Sequence, residues 1–467
     1  MLRYTGHPLV DTGIATLVAM AQKNGPEELT FEDLSAAADE LRDLVFVETD
    51  PATGLLKRGR FAAFLHNFLF PNSAFTPPYK LPKDPAEASA KLAQELAQTL
   101  YAFQQTESLP GEECIFCSQP AFRRVSRARV PLLTGRFPNF GPAGAIGVPV
   151  CGICLLAVHA LPLGATRVGG QLLMVVHGGS ESLLLKLVRR TVKRNRTLFQ
   201  QALLDDQQAS QAGWPVVRFP RTRLVEILRE VERANPGSVQ GALSLITFTN
   251  NNQKADVRID HLPSCVMEFL VEAEHASQPE RRRAWEQAIK RGWPQEQEEG
   301  EREQIRNRLY EDLFRLPQQA RRFFREHIRP VSSWPLTELY ARKVLNMEKE
   351  LLDLLRELGD RFAEYALRKK RSFYFEFGRA RDYSTWRRTL LRAADDSARS
   401  GHGTVLITAD EFVRAFTAPR DAQYFDWRLA RDIVMLRMIE VMAQSGAAPS
   451  EEEELFSDEG EDTESGE

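Results

Sequence analysis

The chain has 467 residues, of which 43% are hydrophobic and 27% are charged, a balance typical of a globular protein with more than one domain. It contains no run of about 20 uncharged apolar residues, and its N-terminus lacks the basic start and apolar run of a signal peptide, so neither a membrane span nor secretion is expected. The net charge of −3 is uneven, because residues 447–467 carry ten acidic and no basic side chains, which leaves +7 on the remainder. We therefore expect a cytoplasmic protein whose basic body binds a polyanion.

Residues 1–277 are predicted to form an α+β domain. Two helix starts are marked by capping signals, Thr30 with Asp33 and Asp84 ahead of Pro85. Runs rich in β-branched and aromatic residues predict strands at 171–177, 215–219, 243–249 and 256–260. The last two strands are predicted to form a hairpin, because only a short polar segment separates them.

The rest of the chain is predicted to be helical. Residues 278–335 are very polar and are interpreted as a helical connector. Residues 336–445 repeat apolar side chains at helical spacing, as at Leu355 and Leu358, which predicts a bundle. Residues 446–467 form an acidic tail that self-repulsion should keep disordered.

Four of the five cysteines occur in two CxxC pairs, Cys114 with Cys117 and Cys151 with Cys154. Two such pairs supply the four thiolates that a tetrahedral zinc ion needs, and four protein ligands leave no open position for a substrate. We therefore predict a structural zinc site inserted at 110–160. A redox or iron–sulfur site and a set of unmetallated core cysteines are the alternatives.

The expected fold class is therefore α+β. It consists of an N-terminal α+β lobe with an inserted four-cysteine zinc site, then an all-α C-terminal helical bundle and a disordered acidic tail. We find no internal repeat at a fixed period.

The segment 118–200 has twelve Lys or Arg residues and one acidic residue, Glu181. A surface that tracks phosphates requires such an imbalance, whereas a merely solvated helix face usually carries both signs. The candidate nucleic-acid-binding residues near the cysteines are Arg123, Arg124, Arg127 and Arg129. Those of the following helix are Lys186, Arg189, Arg190, Lys193, Arg194 and Arg196.

The tip of the predicted hairpin is NNNQK, and its polar side chains are further candidates. A turn alone could explain the asparagines, because asparagine tolerates the left-handed conformation. Amides also form paired hydrogen bonds with base edges, and a lysine can contact phosphate or guanine. The candidate residues are Asn250, Asn251, Asn252, Gln253 and Lys254.

The sequence shows no arrangement typical of an enzyme active site. It lacks the phosphate-binding GxxxxGK[ST] motif, and GPAGAIG at 141–147 is not placed between a strand and a helix as a dinucleotide site requires. The eight histidines are scattered and include no HExxH pair. We therefore expect no catalytic residues.

Three stretches together resemble one protein family. They are the N-terminal YTGHPLVDTGIATLVAMA, the CIFC and CGIC pairs, and FTNNNQKADVRIDHLP ahead of a helical C-terminus. They are similar to the CxxC–CxxC family of CRISPR-associated proteins, the large subunit of type I-B Cascade complexes. The resemblance runs from residue 4 to about residue 445 and does not include the acidic tail.

The resemblance implies a non-catalytic subunit of an RNA-guided complex for antiviral defence. Such subunits bind the 5′ handle of the guide RNA and recognise the short motif (PAM) beside the target in double-stranded DNA, while base pairing reads the longer sequence. They also contact other Cascade subunits and recruit a helicase–nuclease or a transposon targeting factor. On this basis the hairpin tip would read the flanking motif, and Asn72 and Ser73 would be second candidates for the handle or the motif. The C-terminal helices would correspond to a small subunit.

Two other functions fit parts of the sequence. A zinc-dependent nucleic-acid-processing enzyme would lose activity when a single carboxylate or histidine is replaced. A standalone zinc-ribbon RNA-binding protein would have no fixed protein partners.

Overall fold

The structure is a computed structural model in which most of the chain is described. The described residues are 2–49, 56–58, 66, 69–70, 73, 75, 81–133, 147–169, 172–204, 215–250, 255–275, 277–294, 304–368, 371–399, 405–417 and 427–447. The predicted nucleic-acid-binding residues that lie outside them are Asn72, Asn251, Asn252, Gln253 and Lys254. The acidic tail after Ala447 also lies outside the described residues.

The chain divides into two compact units. The first comprises Met1–Leu262 and Glu298–Ile305, and the second comprises Pro263–Gln297 and Arg306–Glu467. The first unit mixes helices with small antiparallel sheets, and the second is helical. This confirms the predicted mixture of helix and sheet followed by a helical C-terminal region. The long segment of the first unit ends at Leu262, whereas the sequence predicts a boundary at 277, because the helix that begins at Ser264 packs within the second unit.

The first unit contains both helices and paired strands. Its helices are α1 (Pro8–Met20), α2 (Phe31–Val45), α3 (Pro85–Ala97), α4 (Gly152–Gly164), α5 (Glu181–Leu204) and α6 (Pro220–Ala234). Its strands are β1 (Phe46–Thr49), β2 (Leu56–Arg58), β3 (Arg123–Val125), β4 (Val148–Val150), β5 (Thr166–Val168), β6 (Leu172–Gly178), β7 (Leu243–Asn250) and β8 (Ala255–Leu262). The predicted capping signals are confirmed, since the Thr30 and Asp84 side chains each cap a helix start.

The strands form two ribbons and one larger antiparallel sheet. Strand β1 pairs with β2, β3 pairs with β4, and the four-stranded sheet has the order β5-β6-β7-β8. The predicted hairpin is confirmed by the register of β7 and β8, in which Asn250 faces Ala255. The predicted strand at 215–219 is limited to one bridge between Val168 and Val217, because Pro220 begins α6 directly afterwards.

Helix α1 lies in the core of the first unit. All its residues from Leu9 to Met20 are buried, as expected for a helix that is apolar on most sides. It crosses α4 at Gly13, where a Cβ atom would lie 2.0 Å from the carbonyl oxygen of Ala157. Only glycine permits this approach, which places α1 against the helix that begins at the second cysteine pair.

The N-terminal stretch ahead of α1 is held by the buried Asp11. Its carboxylate accepts hydrogen bonds from the backbone N–H groups of Thr5 (2.6 Å) and Gly6 (2.9 Å) and lies 3.2 Å from Nε2 of His177 on β6. Burial by itself would raise the pKa of Asp11, but the hydrogen bonds from His177 and Thr5 lower it overall. The conspicuous YTGHPLVD stretch therefore ties the N-terminus to the larger sheet.

The second unit contains helices of very different lengths. They are α7 (Ser264–Glu274), α8 (Pro279–Gly292), α9 (Arg308–Leu313), α10 (Ala320–Phe323), α11 (Trp334–Lys343), α12 (Lys349–Arg368), α13 (Arg371–Arg379), α14 (Tyr383–Arg399), α15 (Ala409–Phe416) and α16 (Trp427–Gln444). The predicted apolar face of α12 is buried, including Leu355 and Leu358. In the part of the chain that the structure describes, no helix has both the length and the apolar character needed to cross a bilayer.

Most of the region predicted as a polar connector, 278–335, belongs to the second unit, namely residues 278–297 and 306–335. Trp285 of α8 is fully buried against Phe269 of α7, with ring centroids 5.4 Å apart, and its Nε1 donates to Glu274 at 2.9 Å. Phe269 also contacts Tyr340 of α11. The many charged residues on the outer face of α8 conceal this buried aromatic side in the sequence.

Candidate metal centre and nucleic-acid interface

The two cysteine pairs come together in one site in the first unit. Cys114, Cys117, Cys151 and Cys154 have all four sulfur atoms within 4.8 Å of one another, and the Sγ atoms of Cys117 and Cys151 are 3.5 Å apart. A tetrahedral ion with bonds of about 2.3 Å to sulfur separates its ligands by roughly 3.8 Å. The four cysteines could therefore hold a metal ion.

A tight turn positions the first pair. Cys114 donates its backbone N–H to Gln119 at 2.7 Å, and Ser118 donates its own to Cys114 at 2.9 Å. Ser118 has a φ of +59°, the left-handed conformation that glycine usually supplies after such a pair. The turn therefore closes without a glycine and directs both sulfur atoms to the same side.

The start of α4 positions the second pair. Cys151 is the N-cap residue, and its Sγ accepts a hydrogen bond from the backbone N–H of Cys154 at 3.4 Å. Gly152 between them is required by packing, because a Cβ there would lie 2.3 Å from the carbonyl oxygen of Ala102. Strands β3 and β4 join the two pairs, since Phe122 donates its N–H to Val150 at 2.9 Å.

Burial and crowding set the charge of the four thiols. Cys114, Cys151 and Cys154 are buried, whereas Cys117 is partly exposed beside a pocket of about 460 Å³. Hydrogen bonding from Cys117 lowers the pKa of Cys114, and the Cys114 sulfur in turn raises the pKa of Cys151 and of Cys154. Four thiolates at these distances repel one another unless a cation lies between them, which is the role that a bound metal ion would have.

The four arginines near the cysteines mostly make contacts within the unit. Arg124 pairs with Glu112 (Nε to Oε2, 2.9 Å), and Arg129 pairs with Glu95 (2.8 Å). Burial lowers the pKa of Arg123, whose Nε has no hydrogen-bond partner among the described residues. Arg124 and Arg129 therefore stabilise the cysteine insertion, and Arg127 is bound to a residue of the hairpin.

Asn250 is buried at the end of β7 and binds protein groups on both sides of its amide. Its Oδ1 accepts hydrogen bonds from Nε of Arg127 (2.8 Å) and from the backbone N–H of Leu132 (3.1 Å). Its Nδ2 donates to the carbonyl oxygen of Leu69 at 2.7 Å. The sequence suggests a base-reading residue here, but the structure corrects this for Asn250, whose amide is fully used in joining three segments of the first unit.

Replacing Asn250 with alanine should lower the free energy of unfolding by about 3 kcal/mol, because the carbonyl of Leu69 and the N–H of Leu132 would be left buried without partners. Chemical denaturation measures the loss. Asn235→Ala, at an exposed position after α6, is the control and should change the stability by less than about 0.5 kcal/mol. Equal stability of the two variants would contradict the structural role of Asn250.

Some basic residues of α5 are bound to other protein groups, and others are exposed to solvent. Lys186 donates to the hydroxyl of Ser238 at 2.7 Å, Arg189 donates to the carbonyl of Lys23, and Arg190 pairs with Glu230. Arg196 forms a two-pronged ion pair with Glu40, at 2.8 and 2.6 Å. Arg194 is half-buried, and Lys193 is exposed without an ion pair to any described residue. Several of these side chains therefore join α5 to its neighbours.

Three of the basic α5 residues nevertheless line one pocket of about 510 Å³. Arg189, Lys193 and Arg196 contribute the positive charge, and none of the residues that line the pocket is acidic. Its polar lining also includes Gln22 and Asn24, from the turn after α1, which the sequence did not single out. A pocket with this lining favours an anion such as a phosphate group.

Comparisons of this chain with family models, with curated proteins and with solved structures found no match.

Asn72 and Ser73 are the second candidates for contact with the RNA handle or the flanking motif, and of these Ser73 is described and is buried. Its hydroxyl accepts a hydrogen bond from the backbone N–H of Phe75 at 3.2 Å. The side chain is therefore directed into the protein, where it shapes a turn. Asn72 lies outside the described residues.

Proposed function

We propose that this chain is the non-catalytic large subunit of a type I-B CRISPR RNA-guided DNA surveillance complex. The observation that supports this most is the convergence of two CxxC pairs, distant in sequence, on one site. That site lies in the same unit as a basic pocket, and the pairs belong to the three stretches that resemble the CxxC–CxxC family. The protein would act in the cytoplasm, where guide RNA and invading DNA meet.

The metal in this proposal is a structural zinc ion held by Cys114, Cys117, Cys151 and Cys154. Sulfur-only ligands favour zinc among the divalent ions of the cell, and a closed set of four gives the ion a structural role. An iron–sulfur cluster would use the same ligands and is distinguished by its colour and iron content.

The α5 pocket is the proposed contact for the guide RNA. Arg189 and Arg196 are held in place by protein contacts, and Lys193 is free to meet a phosphate group at the pocket's edge. Backbone contacts of this kind position RNA without reading its sequence, as the binding of a constant 5′ handle requires. Residues 251–254 are the proposed readers of the flanking motif in the target DNA.

Charge reversal at Lys193 should weaken RNA binding about tenfold, because a phosphate contact would be replaced by repulsion. The loss should be similar for RNAs of different sequence, and the slope of affinity against salt should fall by about 0.7 for a single-stranded RNA. Fluorescence anisotropy with Lys193→Glu measures both. Lys83→Glu makes the same charge change at an exposed position away from the pocket and serves as the control. Equal affinities of the two variants would remove α5 from the interface.

The function as a whole is tested by tagged purification from the native host, with sequencing of bound RNA and identification of bound proteins. Short RNAs that share one 5′ end, recovered with a backbone protein in several copies and other Cascade subunits, are the expected result. Co-purification of a helicase–nuclease or a transposon targeting factor would identify the recruited partner. Recovery of the chain alone, or with RNAs of no common end, would favour the standalone RNA-binding protein.

A further inference from the structure

A second basic pocket lies in the second unit, in the region whose polarity suggested a connector. It has a volume of about 760 Å³ and lies between the end of α8 and the segments around α9 and α10. Six arginines line it, namely Arg291, Arg306, Arg308, Arg315, Arg322 and Arg325. Asp312 and Glu326 are the acidic residues among the described ones that line it, so its arginines and carboxylates sum to four positive charges.

A buried asparagine holds the two sides of this pocket together. Asn307 donates through Nδ2 to the carbonyl oxygen of Ile289 near the end of α8, and its Oδ1 accepts the N–H of Tyr310 in α9, both at 3.1 Å. Gly292 permits this approach, because a Cβ there would lie 2.4 Å from Oδ1 of Asn307. Arg291 on one side and Arg306 and Arg308 on the other are therefore attached to a fixed junction.

Three of the six guanidinium groups have no counter-charge among the residues that the structure describes. Arg315 pairs with Asp312 at 3.0 Å and Arg322 pairs with Glu326 at 2.7 Å. Arg291, Arg306 and Arg308 are exposed and make no ion pair or hydrogen bond with any described residue. Like charges directed at one concavity repel each other, and an anion bound there would relieve the repulsion.

The same pocket contains three groups that could instead bind a cation. Atoms of Asp312, Glu326 and His327 lie within 4.8 Å of one another. Asp312 already accepts from Nε2 of His327 at 2.9 Å. Burial would raise the pKa of Asp312, but His327 and the charges of Arg315 and Arg322 lower it overall. Asp312 and Glu326 each pair with an arginine, and a divalent cation would meet a net positive surround.

We propose that this pocket binds a compact oligophosphate, such as the triphosphate of a nucleoside triphosphate or inorganic tripolyphosphate. Guanidinium groups bind phosphate oxygens in pairs, and four positive charges match those of an ionised triphosphate. The volume falls within the range of about 300–1,000 Å³ usual for small-molecule sites. Arginines that surround a concavity suit a compact anion, whereas an extended nucleic-acid strand requires charges in a row.

The pocket offers little to a nucleobase. Among the described residues that line it, the apolar ones are limited to Ala288, Gly292 and Pro330, and His327 carries the only aromatic ring. Affinity should therefore depend on the phosphates and should be similar for ATP, GTP and tripolyphosphate. This site does not require that the chain belong to a guide-RNA complex.

Isothermal titration calorimetry of the full chain with sodium tripolyphosphate, without magnesium, tests the proposal. Arg306→Gln together with Arg308→Gln should raise the Kd at least about tenfold, because two charge-assisted contacts are lost. Both positions are exposed, so the fold should persist, and the melting temperature checks this. The matched control is Arg387→Gln with Arg388→Gln, two exposed arginines of α14 that do not line the pocket. Arg291→Gln tests the pocket independently from the side formed by α8 and should also raise the Kd.

Four outcomes would overturn the proposal: no tripolyphosphate binding by the unaltered chain, equal weakening by the control pair, a strong preference for one nucleobase, or binding of a short oligothymidylate through these arginines without binding of tripolyphosphate. The last would assign the pocket to a nucleic-acid strand. Similar affinity for ATP, GTP and tripolyphosphate, reduced by the pocket variants alone, would support it.

Discussion

Replacing Cys114 and Cys154 with serine should abolish binding of the proposed metal ion and lower the free energy of unfolding of the first unit by about 4 kcal/mol or more. Both sulfur atoms are buried, and one belongs to the turn at 114–117 while the other lies in the first helical turn of α4. Their loss would leave two sulfur ligands, which cannot hold a tetrahedral ion, and would disconnect α4 from the β3–β4 ribbon. Because α4 packs on α1 through Gly13, the damage should spread into the core.

Metal content by mass spectrometry and thermal unfolding measure these two effects. The matched control is Cys265→Ser, since the fifth cysteine lies in α7 of the second unit and is not part of the cluster. It should retain the metal and nearly all of its stability. A chelator should reproduce the double-serine phenotype, because Cys117 is partly exposed beside a pocket. A double-serine variant that keeps one equivalent of zinc would contradict the four-cysteine assignment.

The cysteine site is readable from the sequence because residue type and spacing carry the information. Two matched pairs imply one ion wherever the intervening chain runs. What the spacing cannot show is how the turn closes, and here Ser118 adopts the left-handed conformation that glycine would be expected to provide. The hairpin and the capping signals are equally local, and they too are confirmed.

The role of each basic residue could not be predicted, because its partner lies far away in the sequence. Arg127 and Asn250 are 123 positions apart and hold each other, so a candidate reader and a candidate phosphate contact are both used in folding. Arg196 and Glu40 are 156 positions apart. Charge composition therefore identifies a basic segment, 118–200, whereas tertiary contacts decide which of its charges remain for a ligand.

The arginine pocket could not be predicted either, because the polarity of its sequence suggests a linker and not a packed unit. The sequence from 278 to 335 is so polar that it resembles a solvated linker, yet Trp285 and Asn307 are buried within the second unit. The spacing of hydrophobic residues does not predict that a helix is buried when one aromatic side chain and one amide hold it in place. The same charges that suggested a linker are then brought to a common concavity.

Acidification should destabilise the first unit through a buried pair of histidines, His66 and His159. Nε2 of His66 lies 3.3 Å from Nδ1 of His159, whose ring stacks on Phe70 with centroids 4.2 Å apart. Burial lowers the pKa of His66 to about 3 and holds the pKa of His159 well below its usual value. Both rings are thus neutral in the fold at pH values where an unfolded histidine, with a pKa of 6.5, is already protonated.

The lowered pKa values of the two histidines determine how stability changes with pH. The stability is fully present above the unfolded pKa and is lost as the pH falls below it, because only the unfolded chain takes up the two protons. The loss should approach about 2.7 kcal/mol per pH unit below about pH 6, since each proton contributes about 1.4 kcal/mol. Urea denaturation at several pH values between about 7.5 and 5 measures this dependence.

His66→Leu with His159→Leu should flatten the dependence, because leucine is apolar, similar in size and cannot take up a proton. His275→Leu, at an exposed position after α7, should leave it unchanged. Zinc thiolates also take up protons in acid, so metal content must be followed across the same range, and the comparison holds where all the proteins retain the ion. A double-leucine variant as acid-sensitive as the unaltered chain, with its metal still bound, would show that other groups take up the protons.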